Sequence, residues 1–146
     1  MTAKHGLWLE DLEVGAAAER THTVTEHDIL AFAEVSGDRN PLHLDEAFAA
    51  TTQFEGRIAH GMLSAAYISA VLGTELPGPG AIYVSQTLDF KRPVRIGDEV
   101  TTRVEVAAID EAKGHVTLTT QCRVRKKVAV GGEAVVLVAR RNGGAG

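Results

Sequence analysis

Asp38, Asn40 and His43 stand together in the run SGDRNPLHL, and His60 and Gly61 stand side by side just ahead of a long uncharged stretch. A carboxylate beside an imidazole can take up and deliver protons near pH 7, and the carboxylate also orients or charges the ring. The backbone N–H groups at a helix start lack intrahelical partners and carry partial positive charge. Aimed at a carbonyl oxygen, they form an oxyanion hole. Gly61 has no side chain to block a ligand's approach to that backbone. Taken singly, each residue has an ordinary reading. Asp38 suits a turn, Asn40 before Pro41 is a common turn former, His43 suits a surface, and His60 suits a helix N-cap region. Ser69, in mid-helix, can bond back to the carbonyl four residues earlier. As an ordered set, these residues define a candidate proton-transfer site with an oxyanion donor.

The elements that must position this set follow from local signals. Residues 20–24 alternate enough for a short strand. Thr25 is an N-cap with Glu26 and Asp28 in the first turn, and Gly37 is a C′ stop, which predicts a helix over 26–36. Pro41 lacks an amide hydrogen and pushes Asn40 from helical geometry, so residues 38–44 read as a loop. Asp45 caps a short helix near 46–52. Residues 58–73 are apolar on nearly every side, the pattern of a buried helix, with Gly73 as its stop. A rigid Pro-Gly-Pro-Gly loop follows at 77–80. The hydrophobic period then changes to two. Strands are predicted over 81–92, 99–109, 115–125 and 128–139, with a hairpin at 110–114 and a bulge or bend at Gly131-Gly132. Short connections predict an antiparallel meander of these four strands. The expected fold is α+β, a long central helix wrapped by a curved antiparallel sheet. Exposed strand edges predict pairing with a second copy.

Composition narrows the function classes. The 146 residues fit one domain, 1–146. Cys122 is the sole cysteine, so an intramolecular disulfide and a cysteine-rich zinc module are excluded. There is no HExxH, and no metal is expected. The first residues show no signal peptide, and no segment is long and apolar enough to span a bilayer, so a cytoplasmic protein is expected. The net charge of −4 and the 5% aromatic content argue against a nucleic-acid partner. That charge is uneven. Residues 1–73 carry four Lys/Arg against eleven acids, and residues 74–146 carry eleven against eight. Lys91 and Arg92, and the cluster Arg123, Arg125, Lys126 and Lys127, are either solvated strand ends or a landing site for an anionic ligand.

The run SGDRNPLHLDEAFAATTQFEGRIAHGML closely resembles the hydratase-2 motif of MaoC-like, (R)-specific enoyl-CoA hydratases. The likeness extends through LPGPGAIYVSQTLDFKRPVRIGDEV to GEAVV and covers nearly the whole chain. It implies a single hot-dog fold and a homodimer, or a higher homo-oligomer of dimers, with active sites at or near the dimer interface. It implies Asp38 and His43 as catalytic residues, at the D-x4-H spacing, and the Gly61 N–H as oxyanion donor. Ser69 is implied as a supporting residue and Asn40 as shaping the loop between the pair, and His60, from its place beside Gly61, is expected to support the site as well. The implied reaction is reversible hydration of a trans-2-enoyl-CoA to a (3R)-3-hydroxyacyl-CoA, without metal or cofactor, coenzyme A being part of the substrate. Lys91 and Arg92 then become candidates for the coenzyme A phosphates. Three readings compete: a hot-dog acyl-CoA thioesterase, a dehydratase of carrier-protein-linked 3-hydroxyacyl chains, and a non-catalytic acyl-CoA-binding subunit. Leu72, Val84 and Leu88 are candidates for setting acyl chain length.

Overall fold

The computed structural model describes residues 3–142. The helices begin where the side chains cap them. Thr25 Oγ1 accepts the Asp28 N–H at 3.1 Å, and the Asp28 carboxylate accepts the Thr25 N–H at 3.0 Å. This reciprocal capping box opens α1, Glu26–Ser36. Gly37 closes it in the left-handed region, at φ 78°.

The expected loop over 38–44 is corrected in part. Residues Pro41–Leu44 form one turn of helix, α2. Asn40 Oδ1 accepts the Leu42 N–H at 3.0 Å, and Pro41 sits at the first turn, where its missing N–H has no partner to lose. Asp45 caps α3, Glu46–Ala49. This helix stops short of the expected residue 52. The hydroxyls of Thr51 and Thr52 bond back to the Phe48 and Ala49 carbonyls, each at 2.7 Å. The long helix α4 spans Gly61–Thr74 and runs one residue past Gly73.

Six strands form one antiparallel sheet: β1 Ala17–Thr23, β2 Ile82–Gln86, β3 Asp89–Phe90, β4 Glu99–Asp110, β5 His115–Val124 and β6 Lys127–Leu137. The order is β1-β4-β5-β6-β2, with β3 also paired to β6. Only β4, β5 and β6 form the meander. The expected four-strand meander is overturned, because the first of those strands pairs with β6 instead of β4. That strand is also split in two. A Cβ at Gly132 would overlap the Thr87 carbonyl oxygen, so the glycine lets the β2–β3 link press against β6. There Thr87 N–H donates to the Glu133 carbonyl at 2.9 Å, and Glu133 N–H donates to Thr87 Oγ1 at 3.0 Å. The bulge lies nearby but elsewhere. Cys122 pairs with Val130 and Arg123 with Val128, which leaves Ala129 as the extra residue.

The buried face of the sheet packs on α4. Val100, Val104, Val106, Val116, Leu118 and Val136 are almost fully enclosed and meet Ile68, Val71 and Leu72 in one apolar cluster. The helix is not buried all round, as its composition suggested. Leu63, Ser64, Ile68, Val71 and Leu72 face the core, whereas Met62, Ala66 and Ser69 are exposed. The sheet covers one side of the helix and leaves the other open. No helix among the described residues is long and apolar enough to cross a membrane.

Candidate active site

Gly37 turns the chain out of α1 and delivers Asp38 to the space above the start of α4. Asp38 N–H donates to Ser36 Oγ at 3.1 Å, and Asp38 Oδ1 accepts the Asn40 N–H at 3.2 Å. Asn40 is occupied in capping α2 and shapes the loop from there. The single turn of α2 carries His43 inward, where it is 7% exposed. Its Nδ1 lies 2.8 Å from the Ile58 carbonyl. A carbonyl only accepts, so Nδ1 is the donor, and Nε2 carries the free lone pair of the neutral ring. Burial holds the His43 proton affinity below the ordinary histidine value. The bond to Ile58 opposes this, His60 adds to it, and the Asp38 charge opposes it again.

Arg57 braces the assembly. Its Nε donates to the His43 carbonyl at 2.7 Å, and its guanidinium pairs with Glu26 at 2.9 Å. Its own N–H donates to Glu46 at 3.3 Å. One residue thus ties α1, α2 and α3 around the histidine. Nothing in the local sequence marks Arg57 for this role, since all three partners are distant in the chain.

His60 is the N-cap residue of α4 and is 2% exposed. Its Nε2 donates to the Asp38 carbonyl at 3.0 Å. Its ring lies against that of His43, with centroids 4.0 Å apart, and against Phe32 at 4.9 Å. Gly61 follows as the first helical residue, and its N–H has no acceptor among the described residues. The glycine also lets the Phe90 ring lie close against the helix start. A Cβ there would lie 2.6 Å from the Phe90 ring.

Asp38, His43, His60 and Gly61 open on one cavity of about 530 Å³. Phe54, Phe90, Val94 and Val130 supply apolar wall. None of these four was singled out from sequence, because wall residues carry no local signal. Ser64, buried on α4, also lines the cavity. Ser69 does not join it. It is exposed, eight residues along α4 and so about 12 Å up the axis from Gly61.

Lys91 and Arg92 line the same cavity from the far side, and both are exposed. Their backbone N–H groups donate to the Ala129 carbonyl, at 2.7 and 3.2 Å. The β6 bulge therefore fixes where these cations stand. Neither makes an ion pair among the described residues. The other basic cluster lies elsewhere: Arg123 pairs with Glu19 at 2.9 Å and Arg125 with Asp98 at 3.5 Å.

Asp38, His43 and His60 each offer one metal-ligand atom, all within 4.8 Å of one another. A divalent cation held there would occupy the same groups that proton transfer requires. A second concave surface, a groove of about 520 Å³, runs between α4 and the edge strand β2. Phe32, Met62, Ala66, Val84 and Leu88 line it. Leu72, by contrast, is 2% exposed in the core.

A family model described as "MaoC like domain" matches residues 11–128. The chain is 54% identical over 134 residues to the (R)-specific enoyl-CoA hydratase of Rhodospirillum rubrum, covering 92% of this chain and 93% of that protein. It is 51% identical over 135 residues to the 3-hydroxybutyryl-CoA dehydratase of Methylorubrum extorquens, covering 92% and 86%. Among solved structures, an (R)-hydratase from Aeromonas caviae involved in PHA biosynthesis matches with a TM-score of 0.85 and 52% identity, covering 88% of this chain and 98% of that one. An R-hydratase from Pseudomonas aeruginosa in the unliganded form matches with a TM-score of 0.87 and 49% identity, covering 93% and 88%.

Proposed function

This chain belongs to the MaoC-like domain family, and on that premise we propose that it is an (R)-specific enoyl-CoA hydratase, acting reversibly between trans-2-enoyl-CoA and (3R)-3-hydroxyacyl-CoA. One observation carries the reading of the site. A carboxylate, a neutral imidazole with its Nε2 lone pair free, and an unpaired helix-start N–H share one cavity.

Asp38 and His43 hold a water between them and remove a proton from it. The water oxygen bonds to C3 of the enoyl thioester. Electron density moves to the thioester oxygen, which the Gly61 N–H meets at the positive end of α4. The resulting enolate takes a proton at C2, so one water is added in total. The Asp38/His43 pair supplies that proton. Water and proton donor lie on the same side of the substrate plane, which yields syn addition and a single product hand. Lowered proton affinity keeps His43 unprotonated at neutral pH and ready to accept. No cofactor enters this scheme.

Lys91 and Arg92 are the groups assigned to the coenzyme A phosphates, because they are unpaired cations on the same cavity. The apolar groove beside β2 is assigned to a second copy of the chain. It adjoins a strand with one unpaired edge, and Val84, Ile82 and Met62 on or beside it are at least half exposed.

The test is an absorbance assay of crotonyl-CoA hydration and of longer enoyl-CoAs, with chiral analysis of the product. The (3R) alcohol is expected. Release of free thiol from saturated acyl-CoA without hydration would replace this reading with the thioesterase. Ligand binding without turnover would replace it with a non-catalytic subunit. Turnover confined to carrier-protein thioesters would move the substrate class.

A further inference from the structure

We propose that His60 is a positioning residue of this reaction, setting the stance of Asp38 through its backbone carbonyl and the working ring of His43 by direct, tilted ring contact. The inference rests on the hydratase reading above.

An N-cap residue ordinarily turns its side chain onto the first N–H groups of its own helix. His60 does not: its side chain makes no cap bond. It reaches back 22 residues and donates Nε2–H to the Asp38 carbonyl. That bond holds the peptide from which the carboxylate projects. Its ring is wedged between Phe32 and His43, so the plane of the His43 ring is set by His60 on one side. The Ile58 carbonyl sets the His43 tautomer, and His60 sets its tilt.

A purely structural wedge would not need an imidazole. With Nε2 donating, Nδ1 of the neutral ring is a bare acceptor. It is fully buried and has no partner among the described residues. An unpaired buried acceptor is unfavourable and calls for a reason. A phenyl ring would fill the slot without it. The feature a phenyl ring lacks is the donor to Asp38.

The groups that face His43 are few. Asp38 comes from the α1–α2 loop and His60 from the α4 N-cap, with Arg57 at the His43 carbonyl. Lys91 and Arg92 line the cavity from the strand side. Of these, His60 stands ring to ring with His43, and a proton on one ring would oppose a proton on the other.

Two variants separate the roles. His60→Phe keeps a ring in the slot and removes the donor. His60→Gln keeps an amide donor near the Nε2 position and removes the ring. The donor role predicts a kcat loss of about 10- to 100-fold in His60→Phe with KM little changed, and partial recovery in His60→Gln. Both variants remove the second protonatable imidazole beside His43, which predicts that the acid limb of the kcat/KM profile moves to higher pH in each. NMR titration of ring-15N-labelled histidine, with His43→Gln for assignment, reads the same upward shift without any turnover. The proposal is overturned if both variants keep the parental kcat and acid limb. It is equally overturned if activity falls only in proportion to the folded fraction seen by circular dichroism. An unmodified protein that hydrates no enoyl thioester would refute the hydratase reading, while the titration would still decide the hold of His60 on His43.

Discussion

The cavity at the start of α4 and the groove beside β2 are nearly equal in volume, about 530 and 520 Å³, and they meet at Met62. Their polar groups differ in what they are free to do. In the groove, Tyr83 Oη donates to Gln86 Oε1, and Gln86 Nε2 donates to the Thr87 carbonyl and to Thr120 Oγ1, both at 2.9 Å. These groups satisfy one another. In the cavity, the His43 Nε2 lone pair and the Gly61 N–H are left open toward the space they line, beside the Asp38 carboxylate. Volume therefore does not distinguish these two concave surfaces. The presence of convergent, unsatisfied polar groups does.

The comparison breaks most sharply at the proposed acid–base pair, Asp38 and His43. Asp38→Asn is expected to lower kcat about 10²- to 10⁴-fold with the thermal melt unchanged, and His43→Ala to do the same. Near-normal crotonyl-CoA hydration by either would take the chemistry out of the cavity. Gly61→Ala comes next. Its methyl must displace the Phe90 ring, and with it the geometry of the helix start. A loss of about 10- to 100-fold is expected, checked by steady-state kinetics. A Gly61→Ala/Phe90→Ala double variant should regain stability more than rate.

Charge reversal of Lys91 and Arg92 together should raise KM about tenfold and leave kcat nearly unchanged. The effect should shrink as salt is added. An unchanged KM would return both residues to the solvated surface. On the groove side, Val84→Asp should roughly halve the mass measured by light scattering, as the paired copies separate. An unchanged mass would detach the groove from self-association.

The smallest effect concerns pH. His43 binds its proton less tightly when folded than at the ordinary value of 6.5. Below that value the unfolded chain binds more protons than the folded one, so acid favours unfolding. The contribution is fully present above about 6.5 and is lost as pH falls toward the folded value. Melting temperatures across this range should fall more steeply for the parent protein than for His43→Gln.

The parts of the fold legible from sequence are those with local causes. The ends of α1 follow from Thr25 and Gly37 and need no tertiary partner. Val116, Leu118, Thr120 and Cys122 alternate in sequence and are all buried. The turn of α2 was also within reach, because Asn-Pro supplies a cap and a first-turn proline together. The strand order was not legible, since both edges of a meander are equally available until long-range packing chooses one. The split between β2 and β3 depends on the approach of Thr87 to Gly132, across 45 residues of chain.

The site divides along the same line. Residue types and spacing alone pointed to Asp38, His43 and Gly61 as a candidate acid–base pair and oxyanion donor, because caps, turns and the helix start are local and the chemistry belongs to the side chains. Ser69 was grouped with them by the family resemblance, yet the helical repeat turns it outward, well along α4 from Gly61. Only the tertiary structure decided which nitrogen of His43 is free, because the Ile58 carbonyl that sets it reaches the ring through folding. Only the tertiary structure placed Lys91 and Arg92 on the same cavity, through a bulge on β6. Proton affinity, tautomer and convergence depend on burial and on neighbours distant in the chain, and a linear sequence does not state who those neighbours are.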